Sequence, residues 1–97
     1  MKPDVVLVNE ARGAVVDEAA VADAILAGKI GGFGSDVYSK EPFDKGHPFS
    51  KIACHSNCYL TPHAAWGSYE SRARCISIIA ENIKTYFDGK IKNRVDI

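Results

Sequence analysis

Ninety-seven residues with 12 basic and 12 acidic side chains, 46% hydrophobic and 25% charged, describe a small globular domain able to bury a moderate core. Balanced charge argues against nucleic acid as a partner, and no apolar run approaches the roughly 20 residues of a membrane span. No signal-type hydrophobic segment follows Met1-Lys2-Pro3-Asp4 and the cysteines number three, so the expectation is a cytosolic protein with reduced thiols.

With no repeat, low-complexity tract or linker, the chain reads as one continuous unit. Residues 4–9, DVVLVN, form a near-continuous β-branched run, the pattern of a strand covered on both faces. Asp17 is placed to cap a helix over 18–28, with Ala20, Val21, Ala24, Ile25 and Leu26 as its apolar stripe and Gly28 as its stop. Residues 30–37, IGGFGSDV, read as a second buried strand, and the strand-helix-strand spacing predicts a right-handed βαβ crossover. Two prolines and Lys45-Gly46 mark 38–57 as a long loop with at most a helical turn near 49–52. A third short strand follows at 58–61. Ser68 then caps a helix over 69–88, with Glu70 in its first turn and Ile76, Ile79, Ile83 and Phe87 at core spacing.

On this scheme Arg12, Glu41 and His63 each fall beyond the carboxyl end of a strand, the edge where open parallel α/β sheets bind ligands. Arginine grips a carboxylate with two parallel hydrogen bonds, histidine moves protons near neutrality, and a glutamate on one imidazole nitrogen orients the ring. That trio suits oxidation and reduction at a carbon beside a carboxylate. Each member also has a plainer reading: Arg12 as a surface side chain in a turn, Glu41 as a solvated acid before Pro42, His63 as a strand-end histidine bonded to backbone. Asp36 reads alternatively as a cap for the loop that follows it. Trp66 and Tyr69 read as packing residues beneath the long helix. Cys54, His55 and Cys58, with His47 and His63 nearby, offer a single C-x3-C pair, which is poor spacing for zinc, so no metal site is expected.

The stretches MKPDVVLVNEARGAVVDEAAV, GSDVYSKEP and LTPHAAWGS, in this order, resemble the carboxyl-terminal half of the NAD-binding domain of D-isomer-specific 2-hydroxyacid dehydrogenases. The resemblance covers nearly the whole chain and implies an α/β fold, a partial Rossmann-like parallel sheet of about three strands with a long C-terminal helix. It implies that Arg12 binds the substrate carboxylate and polarises the carbonyl, that His63 is the general acid/base and that Glu41 is its partner. It further implies that Asp36 contacts the nicotinamide carboxamide, while Asn9, Ala11 and Gly13 line the cofactor side of the first turn. The implied reaction is hydride transfer between NAD or NADP, with NAD favoured, and a small 2-hydroxy or 2-keto acid. TPHAAWGS is similar to the branch that reduces hydroxypyruvate or glyoxylate.

The family's G-x-G-x-x-G turn and its ribose-reading acid do not appear in these residues, and GGFG at 31–34 lies inside a strand instead of opening a helix. Residues 1–97 are therefore expected to form the C-terminal part of a dinucleotide-binding domain. The accompanying expectations are that its Gly-rich half and the substrate domain are absent, and that Met1 is an internal methionine, a truncated start or an artificial boundary. The chain alone is expected to bind NAD weakly or not at all and not to turn over. The alternative is a non-enzymatic relic or interaction module that self-associates through its exposed sheet edge, and a homo-oligomer is expected.

Overall fold

The computed structural model describes residues 1–95. Three parallel strands, β1 (Val6–Asn9), β2 (Gly32–Ser35) and β3 (Cys58–Leu60), form one sheet in the order β1-β2-β3. Helix α1 (Glu18–Leu26) joins β1 to β2, and α2 (Tyr69–Phe87) follows β3. Single 3-10 turns occupy Gly13–Val15 and Pro48–Lys51. The chain divides into two compact units, residues 1–65 and the segment from Trp66 onward, where the even composition predicts one. The strands are shorter than their apolar runs: Gly31 and Gly32 both donate to the Val5 carbonyl, so ladder pairing begins only there.

Strand alternation sorts the first unit into two faces. Leu7, Phe33, Cys58 and Leu60 point to a core completed by Val21, Ala22 and Ile25 of α1 and by Phe49 and Ile52. The rings of Phe33 and Phe49 pack with centroids 5.0 Å apart. On the opposite face Val6 and Val8 stand exposed beside Gly32 and Gly34, with Tyr59 beyond, lining an open trough of about 620 Å³. The expectation that β1 is covered on both faces is therefore corrected: one face is buried and Val6 is 66% exposed. A β-branched run signals strand propensity, and what covers each face depends on packing partners elsewhere in the chain.

Both helix caps form where expected. Asp17 Oδ1 accepts from the Ala20 N–H at 3.0 Å, and Gly28 closes α1 with a φ of 62°, a conformation glycine takes without penalty. The buried stripe of α1, however, is Glu18, Val21, Ala22 and Ile25, while Ala20 and Leu26 are exposed. An acid thus occupies the inward face. In the second unit Ser68 Oγ accepts from Ser71 N–H at 3.1 Å, Gly89 ends the helix with a φ of 70°, and Lys92 pairs with Glu81. No residue of α2 is buried, so Ile76, Ile79, Ile83 and Phe87 form an exposed apolar stripe instead of the expected core, and Trp66 and Tyr69 are exposed as well. Helical periodicity sets which side chains share a face, and burial requires a partner surface. Among the described residues no helix is long and apolar enough to cross a membrane.

Candidate active site

The site is assembled from the segments that leave the three strands at their carboxyl ends. At the end of β1 the buried Asn9 shapes the turn: its Nδ2 donates to the Arg12 carbonyl at 2.9 Å and its Oδ1 accepts from Ala11 N–H at 3.2 Å. Its own carbonyl accepts from Asp36 N–H at 3.1 Å and Ser35 Oγ at 3.3 Å, tying the turn to β2. Ala11 and Arg12 are left exposed, with Arg12 Nη1 donating to the Ala11 carbonyl at 2.8 Å. Gly13 is buried for a different reason: a Cβ there would lie 2.0 Å from Ser39 N and from the Tyr38 carbonyl carbon. The glycine is needed so that a second backbone segment can approach closely.

That segment, after β2, carries Glu41. Glu41 Oε1 accepts from Tyr38 N–H at 2.9 Å and Oε2 contacts His63 Nδ1 at 2.6 Å. The Tyr38 hydroxyl donates to the Thr61 carbonyl at 2.6 Å, fastening the same segment to the exit from β3. His63 sits in the left-handed region at φ 53°, a strained conformation for a side-chain-bearing residue. Asp36 holds the turn that imposes it. Its Oδ1 accepts from Thr61 Oγ1 at 2.5 Å and Ala64 N–H at 2.9 Å, and Oδ2 accepts from Ala65 N–H at 2.8 Å. The acid at 36 therefore caps the turn after β3, 25 residues away, and not the loop that follows it.

These contacts set the charge states. The hydrogen bond to His63 is the chief cause that holds the Glu41 carboxyl below the usual carboxylate range, followed by the Tyr38 N–H and, more weakly, by the charges of His63 and Arg12. The Thr61 hydroxyl and then the Ala64 and Ala65 N–H groups lower Asp36 in the same way. Burial pushes the Tyr38 hydroxyl and the Cys58 thiol up, which keeps both neutral. A carboxyl depressed in the folded state contributes stability above its unfolded pKa that is lost as pH falls through the folded value. Unfolding by urea is therefore expected to need less denaturant as pH drops below about 4, the ordinary carboxylate range. An Asp36→Asn variant is expected to be weaker at neutral pH and to show a flatter acid profile.

Glu41 and His63 are in direct contact beyond the carboxyl ends of β2 and β3. Arg12, exposed beyond the end of β1, bonds instead to the Ala11 carbonyl and touches the pair only through the weak effect of its charge on Glu41. Asp36 and Asn9 lie beneath them as supports of the two turns, and Gly13 lies under the Tyr38-Ser39 peptide. The cysteines are free, and among the described residues no three His, Cys, Asp or Glu side chains come together as metal ligands.

A three-stranded parallel sheet with a crossover helix, and polar residues gathered past its strand ends, is half of a doubly wound nucleotide-binding fold. Residues 1–65 match the family described as D-isomer specific 2-hydroxyacid dehydrogenase, NAD binding domain. The chain belongs to that family. It is 41% identical over 91 residues to a glyoxylate reductase from Korarchaeum cryptofilum, covering 94% of this chain and 26% of that protein. Among solved structures it superposes on a D-lactate dehydrogenase with NAD+ from Lactobacillus jensenii at a TM-score of 0.72 and 28% identity, covering 100% of this chain and 32% of that one. An NADPH-dependent glyoxylate/hydroxypyruvate reductase from Sinorhizobium meliloti in complex with citrate matches at 0.70 and 35% identity over 88% of this chain and 26% of that one. The chain thus spans less than a third of the length of the first of its curated relatives.

Proposed function

We propose that this chain is the catalytic-residue part of an NAD(P)-dependent dehydrogenase that interconverts a small 2-hydroxy acid and its 2-keto acid. Residues 1–97 would form the C-terminal part of its dinucleotide-binding domain. The observation that carries the reading is the 2.6 Å contact between Glu41 Oε2 and His63 Nδ1, with Arg12 exposed at the same sheet edge. A carboxylate on Nδ1 selects the tautomer protonated there and leaves Nε2 as the nitrogen that exchanges a proton with a ligand. Arg12 would grip the substrate carboxylate and draw electron density from the neighbouring carbonyl. In reduction, His63 protonated on both nitrogens would give the Nε2 proton to the oxygen forming on C2, and Glu41 would stabilise the cationic ring until then. In oxidation neutral His63 would take that proton from the hydroxyl.

The residues present fit a nicotinamide. Asp36 Oδ2 accepts a single hydrogen bond, which leaves acceptor capacity for a carboxamide N–H, and Asp36 borders the open trough. Ala11 is small and exposed at the end of the β1 turn, and Asn9 and Gly13 fix the backbone under it. When bound, the nicotinamide supplies or accepts the hydride. NAD is favoured over NADP, the cytosol as compartment, and glyoxylate or hydroxypyruvate as substrate. The likeness to the Korarchaeum and Sinorhizobium reductases supports the substrate class.

The test is to join this segment to the amino-terminal remainder of the Korarchaeum glyoxylate reductase and follow NADH absorbance with glyoxylate and with hydroxypyruvate. Turnover is expected from the chimera. The chain alone is expected to show none and to bind NADH more weakly than the micromolar range in a fluorescence titration. A folded chimera without turnover would sink the proposal.

A second reading, self-association, draws on the exposed Val6, Val8 and Tyr59 face and on the outer edge of β1, which pairs with no strand among the described residues. Sedimentation equilibrium is expected to show a homo-oligomer; a monomer at every concentration counts against it.

A further inference from the structure

Beneath the site lies a second histidine-glutamate contact. Glu18 and His47 are both more than nine-tenths buried, and Glu18 Oε2 lies 3.0 Å from His47 Nε2. The two are within ion-pair distance but not aligned for a hydrogen bond, and His47 Nε2 has no hydrogen-bond partner among the described residues. His47 Nδ1 accepts from Phe49 N–H at 3.2 Å. Glu18 spends its remaining capacity on one residue: Oε1 accepts from Ser39 N–H at 2.8 Å and Oε2 from the Ser39 hydroxyl.

Burying an acid on the core face of a helix costs stability that an apolar side chain would not. What Glu18 holds gives the reason. Ser39 follows Tyr38, whose N–H donates to Glu41 Oε1, and the Tyr38-Ser39 peptide rests on Gly13, one residue beyond Arg12. We propose that Glu18, seated against His47 and bonded to Ser39, is a positioning residue that sets the Glu41–His63 pair. This rests on the roles given to Glu41 and His63 above. With Glu18 in place the 38–41 segment has one position, and Glu41 Oε2 meets His63 Nδ1. Without it the Ser39 end of the segment is released, Glu41 withdraws, and the His63 ring loses the partner that chooses its tautomer.

Ring-nitrogen NMR of His63 in the full chain tests this at mildly alkaline pH, where imidazole is neutral. The wild-type protein is expected to show mainly the Nδ1-protonated tautomer, and Glu41→Ala is expected to abolish that preference. Glu18→Ala is expected to lower the Nδ1-protonated share about twofold or more, and Glu18→Gln, which keeps an acceptor for Ser39, to restore most of it. A purely structural role for Glu18 would shift the unfolding midpoint and leave the tautomer alone. Unchanged His63 signals in a folded Glu18→Ala chain overturn the proposal. Should that variant not fold, Ser39→Ala removes only the hydroxyl contact and is expected to move the signals the same way; no movement there overturns it equally. If Glu41→Ala itself leaves His63 unchanged, the fault lies in the His-Glu relay on which the proposal rests.

Discussion

Replacing Gly13 by alanine is expected to destabilise the first unit by about 3 kcal/mol or more, the upper range for forcing extra volume into a packed site. The added Cβ would stand 2.0 Å from Ser39 N, 2.0 Å from the Tyr38 carbonyl carbon and 2.5 Å from the Tyr38 oxygen. All three are backbone atoms, so no rotamer change relieves the clash, and either the turn after β1 or the segment after β2 must move. A domain of this size has a total stability on the order of 5–15 kcal/mol, so the change removes a large part of it. Gly28→Ala is the control: that glycine has φ 62° with nothing within 4 Å of a Cβ, so only backbone strain of about 1 kcal/mol is at stake. Urea unfolding monitored by circular dichroism measures both, with a much lower midpoint expected for Gly13→Ala. A Gly13→Ala midpoint close to that of Gly28→Ala would show that the two segments do not meet as described.

In the chimeric enzyme, His63→Gln is expected to lower kcat by about 10²–10⁴-fold, the usual worth of a positioned general acid-base group. Glutamine keeps the polarity and approximate reach of the side chain but carries no titrating proton, so substrate binding should change far less than turnover. Arg12→Lys separates the second role. A lysine preserves the charge and loses the planar fork, so the bidentate grip on a carboxylate is gone. Its effect is expected chiefly in kcat/KM, on the order of 10-fold or more, from loss of a charge-assisted hydrogen bond. Steady-state rates at varied glyoxylate concentration distinguish the two. A His63→Gln enzyme within about threefold of the parent kcat would remove His63 from the acid-base role.

The parts of this protein written in local sequence could be read directly. Asp17 and Ser68 cap their helices through their own side chains a few residues ahead, and Gly28 ends α1 because only glycine takes φ 62° freely. The three strands and the crossover helix follow from residue type and spacing within short windows. N-x-A-R-G, D-V-x-x-x-E-P and T-P-H in that order pointed to the family, and the match over residues 1–65 bears that out.

Other features were settled only when distant segments met. Glu41 and His63 are 22 residues apart and Glu18 and Ser39 are 21 apart. Helical spacing alone puts the acid at position 18 on the face of Val21, Ala22 and Ile25, but no local pattern shows that Ser39 meets it there. Gly13 looks like a turn residue in sequence, and only the fold reveals the Tyr38-Ser39 backbone against it. Asp36 likewise turns out to hold the His63 turn. The two faces of β1 and the apolar stripe of α2 make the same point. Periodicity is a property of one segment and was legible, whereas burial is a property of two surfaces in contact, which only the tertiary structure decides.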